Sequence, residues 1–232
     1  MMAEISVLMS TFNRANLMKL PIESVLNQTY KDFTLIICDD GSTDGTWKVL
    51  NTYAKKDSRI ILLRNEVNKG VPFTKNRLLD ACETKYACWQ DSDDLSNIHR
   101  LEIELDYIKK YSGMVGCRVY IVRSDLSKVN YHEKPLYIDE GGITNASLFF
   151  PVDKKIRFPE DKNWFGTDSV WVHRMQKKYP VTYINRVLYY IKFHQNRIGR
   201  MKRVYRLLSP KIRKGMSFAD VVNYVHKKKK GQ

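Results

Sequence analysis

"LIICDDGSTDGT" (residues 35–46) decides how this chain is read. Four apolar residues run straight into three carboxylates, two glycines and three hydroxyls. A short apolar run closed by turn-forming residues suits a strand buried on both faces. The acid at its tip is unexpected in a chain of net charge +15. The arrangement recurs in "YACWQDSDD" (residues 86–94), where an apolar run again ends in acid, at Asp91, Asp93 and Asp94.

Outward from these two stretches the pattern alternates. "EISVLMST" (4–11), "DFTLIICDD" (32–40), "RIILLRN" (59–65), "KYACWQDSDD" (85–94) and "GMVGCRVYIV" (113–122) read as strands. Between them, "NLMKLPIESVLNQT" (16–29), "TDGTWKVLNTYAKK" (43–56), "VPFTKNRLLDACE" (71–83) and "NIHRLEIELDYIKKY" (97–111) read as helices. The last presents Ile98, Leu101, Leu105 and Ile108 as one apolar face. Buried strands alternating with amphipathic helices predict a mostly parallel sheet covered on both sides. Ligands of such sheets bind beyond the carboxyl ends of the strands. Ser10 to Asn13, Asp39 to Ser42, Asn65 to Gly70 and Asp91 to Asp94 are therefore expected on one rim.

The second half is less regular. Residues 130–165 predict short strands and loops wrapping the sheet's edge. "GTDSVWVHRMQKKY" (166–179) predicts a helix and "VTYINRVLYYIKFH" (181–194) strands. Twelve Lys or Arg against one Asp lie between positions 197 and 230, so most of the net charge belongs to the final segment. Two amphipathic patterns occur there: Met201, Val204, Tyr205 and Leu208, then Phe218, Val221, Val222 and Val225. The expected organisation is one domain over residues 1–197 and a basic helical extension over 198–232. The four cysteines form no CxxC pair, which favours small buried thiols and a reducing compartment. The N-terminal residues lack the features of a secretory leader, and no apolar window reaches the length of a bilayer span. A cytoplasmic protein, or one peripheral on a membrane surface, is expected.

Carboxylates crowded at a strand tip repel one another unless a cation joins them. Hard oxygen ligands suit Mg²⁺ or Mn²⁺ bridging a diphosphate. Taken alone, "DSDD" is also explained, and more simply, as a solvated acidic turn ahead of a helix. "CDDGSTDGT" can likewise be a turn alone, or a carboxylate accepting from a uracil imide or from ribose hydroxyls.

The order of the stretches bears on that choice. "ISVLMSTFNR", "LNQTYKDFTLIICDDGSTDGT", "NKGVPFTKNRLLDAC", "WQDSDD" and "GTDSVWVHRM", in this sequence, resemble the inverting family 2 glycosyltransferases of the GT-A fold. The resemblance covers residues 4 to about 197. It implies a Rossmann-like, mostly parallel central sheet flanked by helices, a nucleotide-diphosphate sugar donor such as a UDP-sugar, a divalent metal, and inversion at the anomeric carbon. It further implies that Thr11, Asn13 and Asp40 meet the nucleoside, with Asp39 as support or ribose contact. Lys75 stands where the family commonly has Arg, as a base or phosphate contact. Asp93 falls on the donor ribose or the metal, and Asp94 on the metal. Asp168, after Gly166-Thr167 where the family commonly has Gly-Glu, matches the catalytic base. His194 matches a late His that adds a metal or diphosphate contact. Trp164 is either a loop anchor or a platform for the acceptor sugar.

The implied acceptor is a hydroxyl of a glycan or lipid-linked saccharide. The basic extension suits an anionic membrane surface or nucleic acid. A sugar transferase acting on modified DNA bases and a non-catalytic nucleotide-binding module are the alternatives. A nucleotidyltransferase would carry a Gly-rich phosphate loop after its first strand, and "MSTFNRANL" has no glycine.

Overall fold

The computed structural model describes residues 3–122, 144–160 and 166–192. Strands β1 (Ile5–Thr11), β2 (Phe33–Asp39), β3 (Ile60–Arg64) and β4 (Tyr86–Trp89) form a parallel block in the order 3-2-1-4. Helices α1 (Lys19–Leu26), α2 (Thr46–Ala54) and α3 (Val71–Ala81) make the crossovers. Beyond β4 lie β7 (Phe149–Pro151), β6 (Met114–Val122), β8 (Val181–Lys192) and β5 (Leu95–Ser96), which complete a sheet of eight described strands. β7 pairs antiparallel with both β4 and β6, whereas β8 pairs parallel with β6. Only β7 and β5 therefore run against the common direction, and the expected mostly parallel, Rossmann-like α/β sheet is what forms.

Side-chain alternation builds two cores. On β1, Ile5, Val7 and Met9 face one side and Leu8 the other; on β2, Leu35 and Ile37 oppose Ile36 and Cys38. The first core is closed by Ile22 and Val25 of α1, Leu50 of α2, and Leu101, Leu105 and Ile108 of α4 (Arg100–Tyr111). The second is closed by Leu78 and Leu79 of α3 and by Trp171, Val172 and Met175 of α5 (Thr167–Gln176). Its centre is aromatic: Trp89 lies 5.4 Å from Phe150, 5.5 Å from Phe158 and 5.6 Å from Trp171, ring centre to ring centre.

The structure corrects two expectations. Ile98 is not on the apolar face of α4. It precedes the helix and is half exposed. Asn97 folds the chain into a turn there, its side chain accepting the His99 N–H at 3.0 Å, so the helix begins only at Arg100. The described part of the irregular second half does not wrap an edge either. β7 lies inside the sheet, because Phe149 enters one core and Phe150 the other. All four cysteines are buried and unbridged; burial pushes the Cys38 and Cys88 thiols up to about 12. No helix among the described residues is long and apolar enough to cross a membrane. The extension over 198–232, Trp164 and His194 lie outside the described residues.

Candidate active site

The sheet reverses its winding between β1 and β4, and the carboxyl ends of these strands carry the polar residues that the sequence singles out. Thr11 closes β1, and its carbonyl accepts the Asp40 N–H at 2.8 Å. Asn13 adopts a left-handed backbone (φ 50°) and locks the two loops together. Its N–H donates to Ser42 Oγ and its Oδ1 accepts the Thr43 N–H, both at 2.9 Å. Asp39 is fully buried; Oδ1 accepts the Ser42 N–H at 3.1 Å, and Arg64 Nε lies 3.4 Å from Oδ2. Asp40 ties down the loop after β3. Its Oδ1 accepts from Asn65 Nδ2 (2.7 Å) and the Lys69 N–H (2.8 Å), and its Oδ2 from the Gly70 N–H (2.9 Å). Oδ2 thus carries one donor and retains a lone pair that an imide or hydroxyl could use.

Gly41 lies where these loops touch. Its φ is +70°, and a Cβ there would stand 2.6 Å from the Val67 carbonyl carbon and 2.8 Å from the Asn68 nitrogen. The left-handed conformation alone costs a side chain about 1–2 kcal/mol, and forced overpacking about 1–3 kcal/mol more. Gly41→Ala is expected to lower the urea unfolding midpoint accordingly, and an unchanged midpoint would contradict this packing.

The acidic loop after β4 is held from several directions. Gln90 Nε2 donates to the Asp91 and Asp94 carbonyls at 3.1 and 2.9 Å, and Ser96 Oγ donates to Gln90 Oε1 at 2.6 Å. The Asp91 N–H donates to the Tyr189 hydroxyl at 2.9 Å. Burial, then the Asp94 and Asp91 carboxylates, push the Tyr189 phenol well above its ordinary range, so it stays neutral. From the end of β8, the Lys192 N–H donates to Asp94 Oδ1 at 2.8 Å. Arg14 Nη2 stands 3.8 Å from Asp93 Oδ2. Asp91, Asp93 and Asp94 each offer an oxygen within 4.8 Å of the others. Three hard, anionic donors so close together fit Mg²⁺ or Mn²⁺.

Asp168 occupies the first turn of α5, after Gly166 in a left-handed conformation (φ 84°). Its Oδ1 accepts from Lys75 Nζ at 2.7 Å and from Asn145 Nδ2 at 3.1 Å. Lys75, expected at the donor, has its ammonium on Asp168. α3 links the two ends of the rim. Its Thr74 hydroxyl accepts from Asn65, the partner of Asp40, while Lys75 reaches Asp168 and lies 5.1 Å from the Trp89 ring, just before the acidic loop.

The family model described as "Glycosyl transferase family 2" matches residues 6–175. The chain belongs to glycosyl transferase family 2. Among the curated relatives of this family 2 chain, the "UDP-Glc:alpha-D-GlcNAc-diphosphoundecaprenol beta-1,3-glucosyltransferase WfaP" of Escherichia coli is 27% identical over 207 residues, 85% of this chain and 80% of WfaP. "Putative glycosyltransferase EpsE" of Bacillus subtilis is 39% identical over 109 residues, 47% of this chain. The match spans only 39% of EpsE. Among solved structures, residues 1–349 of S. aureus TarS in complex with UDP-GlcNAc superpose with a TM-score of 0.66 at 19% identity, covering 83% of this chain and 59% of that one. The mannosyltransferase PcManGT from Pyrobaculum calidifontis, in complex with GDP-Man and Mn²⁺, gives 0.68 at 16% identity, covering 97% and 69%. These neighbours share the GT-A-like fold while holding different nucleotides.

Within this family 2 domain, motif reading did not reach Asn145, Gln90, Tyr189 and the hold of Arg100 on the Trp89 carbonyl (3.1 Å). Asn145 sits in a stretch without periodicity. Nothing in "STFNR" assigns Arg14 a role; the fold puts its guanidinium beside Asp93.

Proposed function

We propose that this family 2 glycosyltransferase moves a sugar from a UDP-linked donor to a hydroxyl of a lipid-linked saccharide, with inversion. The observation that carries the reading is the grouping around α3: a carboxylate-rich loop suited to a divalent cation, and a half-exposed carboxylate, Asp168, bridged to it through Lys75 and Trp89. An inverting displacement needs those two features together. The nucleophile's proton must leave on the side opposite the diphosphate, and the leaving group's charge must be met. Asp93 and Asp94, with Asp91 beside them, would hold Mg²⁺ or Mn²⁺, which when bound takes up charge on the departing diphosphate. Thr11, Asn13, Asp39 and Asp40 form the nucleoside end, with the free lone pair of Asp40 Oδ2 as acceptor for a uracil imide. Asp168 takes the proton of the acceptor hydroxyl. The name of WfaP supports a UDP-sugar donor and a diphospholipid-linked acceptor.

The test starts with binding. UDP-glucose, UDP-GlcNAc and GDP-mannose are titrated with and without Mn²⁺ while thermal unfolding is followed. A ligand at a hundred times its Kd stabilises by about 2.7 kcal/mol, which is roughly 5–10 °C for a chain of this size. A UDP-sugar is expected to give that shift only with the metal, and then to label GlcNAc-diphosphoundecaprenol. Stabilisation by GDP-mannose alone would overturn the donor assignment, and binding without transfer or hydrolysis would point to a non-catalytic module.

A further inference from the structure

We infer that Lys75 is the positioning residue of Asp168 and not a ligand of the donor. The inference rests on the assignment of Asp168 as base. Lys75 projects from α3 with only 6% of its side chain exposed, whereas the Asp168 side chain is 50% exposed. The ammonium touches the carboxylate at 2.7 Å and lies 5.1 and 5.2 Å from the ring centres of Trp89 and Phe158. These rings belong to the buried aromatic core, so the cation lies against packed walls. A buried ammonium is costly unless it is paired; here the carboxylate pairs it and the aromatic faces supply a further attraction.

Among the described residues, both side-chain donors to Asp168, Lys75 and Asn145, fall on Oδ1. One carboxylate oxygen is anchored from two elements far apart in sequence, which leaves Oδ2 of a half-exposed group to serve the acceptor hydroxyl. This is the arrangement that base catalysis requires, because misplacing a reacting group by about 1 Å can cost roughly a hundredfold in rate. A lysine serving the donor phosphates would instead be expected with its ammonium toward the acidic loop.

The experiment uses the full chain with UDP-glucose and GlcNAc-diphosphoundecaprenol. Lys75→Met keeps the length and apolar stem and removes the charge. It is expected to lower kcat about a hundredfold while leaving the KM for UDP-glucose and its calorimetric Kd within twofold. Lys75→Arg should recover part of the rate. On an Asp168→Asn background, Lys75→Met should cost nothing further, since both changes remove one function. Asn145→Ala, which leaves the buried face of α3 intact, should show the same kcat-only pattern more weakly, so the inference is tested even if Lys75→Met does not fold.

A substrate-free measurement runs beside these. Lysine acylation mapped by mass spectrometry should find Lys75 protected in the native protein and labelled in Asp168→Ala. A rise in donor Kd on Lys75→Met, an unchanged kcat, or a native Lys75 that acylates freely would overturn the inference. Full transfer by Asp168→Asn would instead overturn the base assignment on which it rests.

Discussion

Asp168→Asn is expected to lower the transfer rate by about 10²–10⁴-fold, the usual worth of a positioned general base, without weakening UDP-sugar binding. The substitution is close to isosteric. The Asn oxygen can still accept from Lys75 and Asn145, which keeps α5 hydrogen-bonded to α3, but the buried Lys75 ammonium loses its counter-charge, so urea unfolding of the variant is followed beside its activity. What disappears is the capacity to take a proton from the acceptor hydroxyl. Initial rates at saturating donor and calorimetry with UDP-glucose separate the two effects. Retention of full transfer would remove Asp168 from the chemistry; loss of donor affinity would move it to the nucleotide end of the cleft.

The parallel half of the fold was legible in the sequence for a physical reason. β1, β2 and β4 are buried on both faces, so each reads as a largely apolar run, and each ends at polar residues on the rim; β3, at the edge of the sheet, is only partly buried. The helices between them carry their own apolar spacing. β7 was not legible. Three residues, Phe-Phe-Pro, show no period, and only the cores on both sides make them a central strand. The site divides in the same way. Acidic tips are local patterns, so Asp39, Asp40, Asp91, Asp93 and Asp94 stand out in the sequence itself. The contact of Lys75 with a carboxylate 93 residues later is a property of packing alone. Nothing around Lys75 in the sequence distinguishes a cation reaching the donor from one turned toward α5.

Arg100 and Glu104 show the same limit from the other side. Their i, i+4 spacing is plain in "RLEIE", and on most helices such a pair is a solvated surface contact worth a few tenths of a kcal/mol. Here both side chains are wholly buried, with Arg100 Nε 3.0 Å from Glu104 Oε2. Burial pushes the Glu104 carboxyl up and Arg100 pulls it back; burial opposes the charge on Arg100, and Glu104 overrides it. Glu104→Gln is therefore expected to destabilise the fold by about 3–5 kcal/mol, because it leaves a guanidinium buried without its counter-charge. Arg100→Met combined with Glu104→Leu should recover most of that loss, since well-packed apolar residues can replace a buried pair at little cost. Urea unfolding of Arg100→Met, of Glu104→Leu and of the double variant closes the cycle, with Glu104→Gln measured beside them.

Stability and activity should then part. Arg100 Nη1 donates to the Trp89 carbonyl and to Ser96 Oγ, each at 3.1 Å, and its guanidinium lies 4.8 Å from the ring centre of Tyr189. Ser96 holds Gln90, Gln90 holds the carbonyls of Asp91 and Asp94, and Tyr189 takes the Asp91 N–H. The apolar double variant keeps the core filled but removes the inner support of the acidic loop. It should unfold near the wild-type midpoint and yet need more Mn²⁺ for half-maximal stabilisation by UDP-glucose. A double variant with wild-type metal dependence would show that Arg100 serves the fold alone.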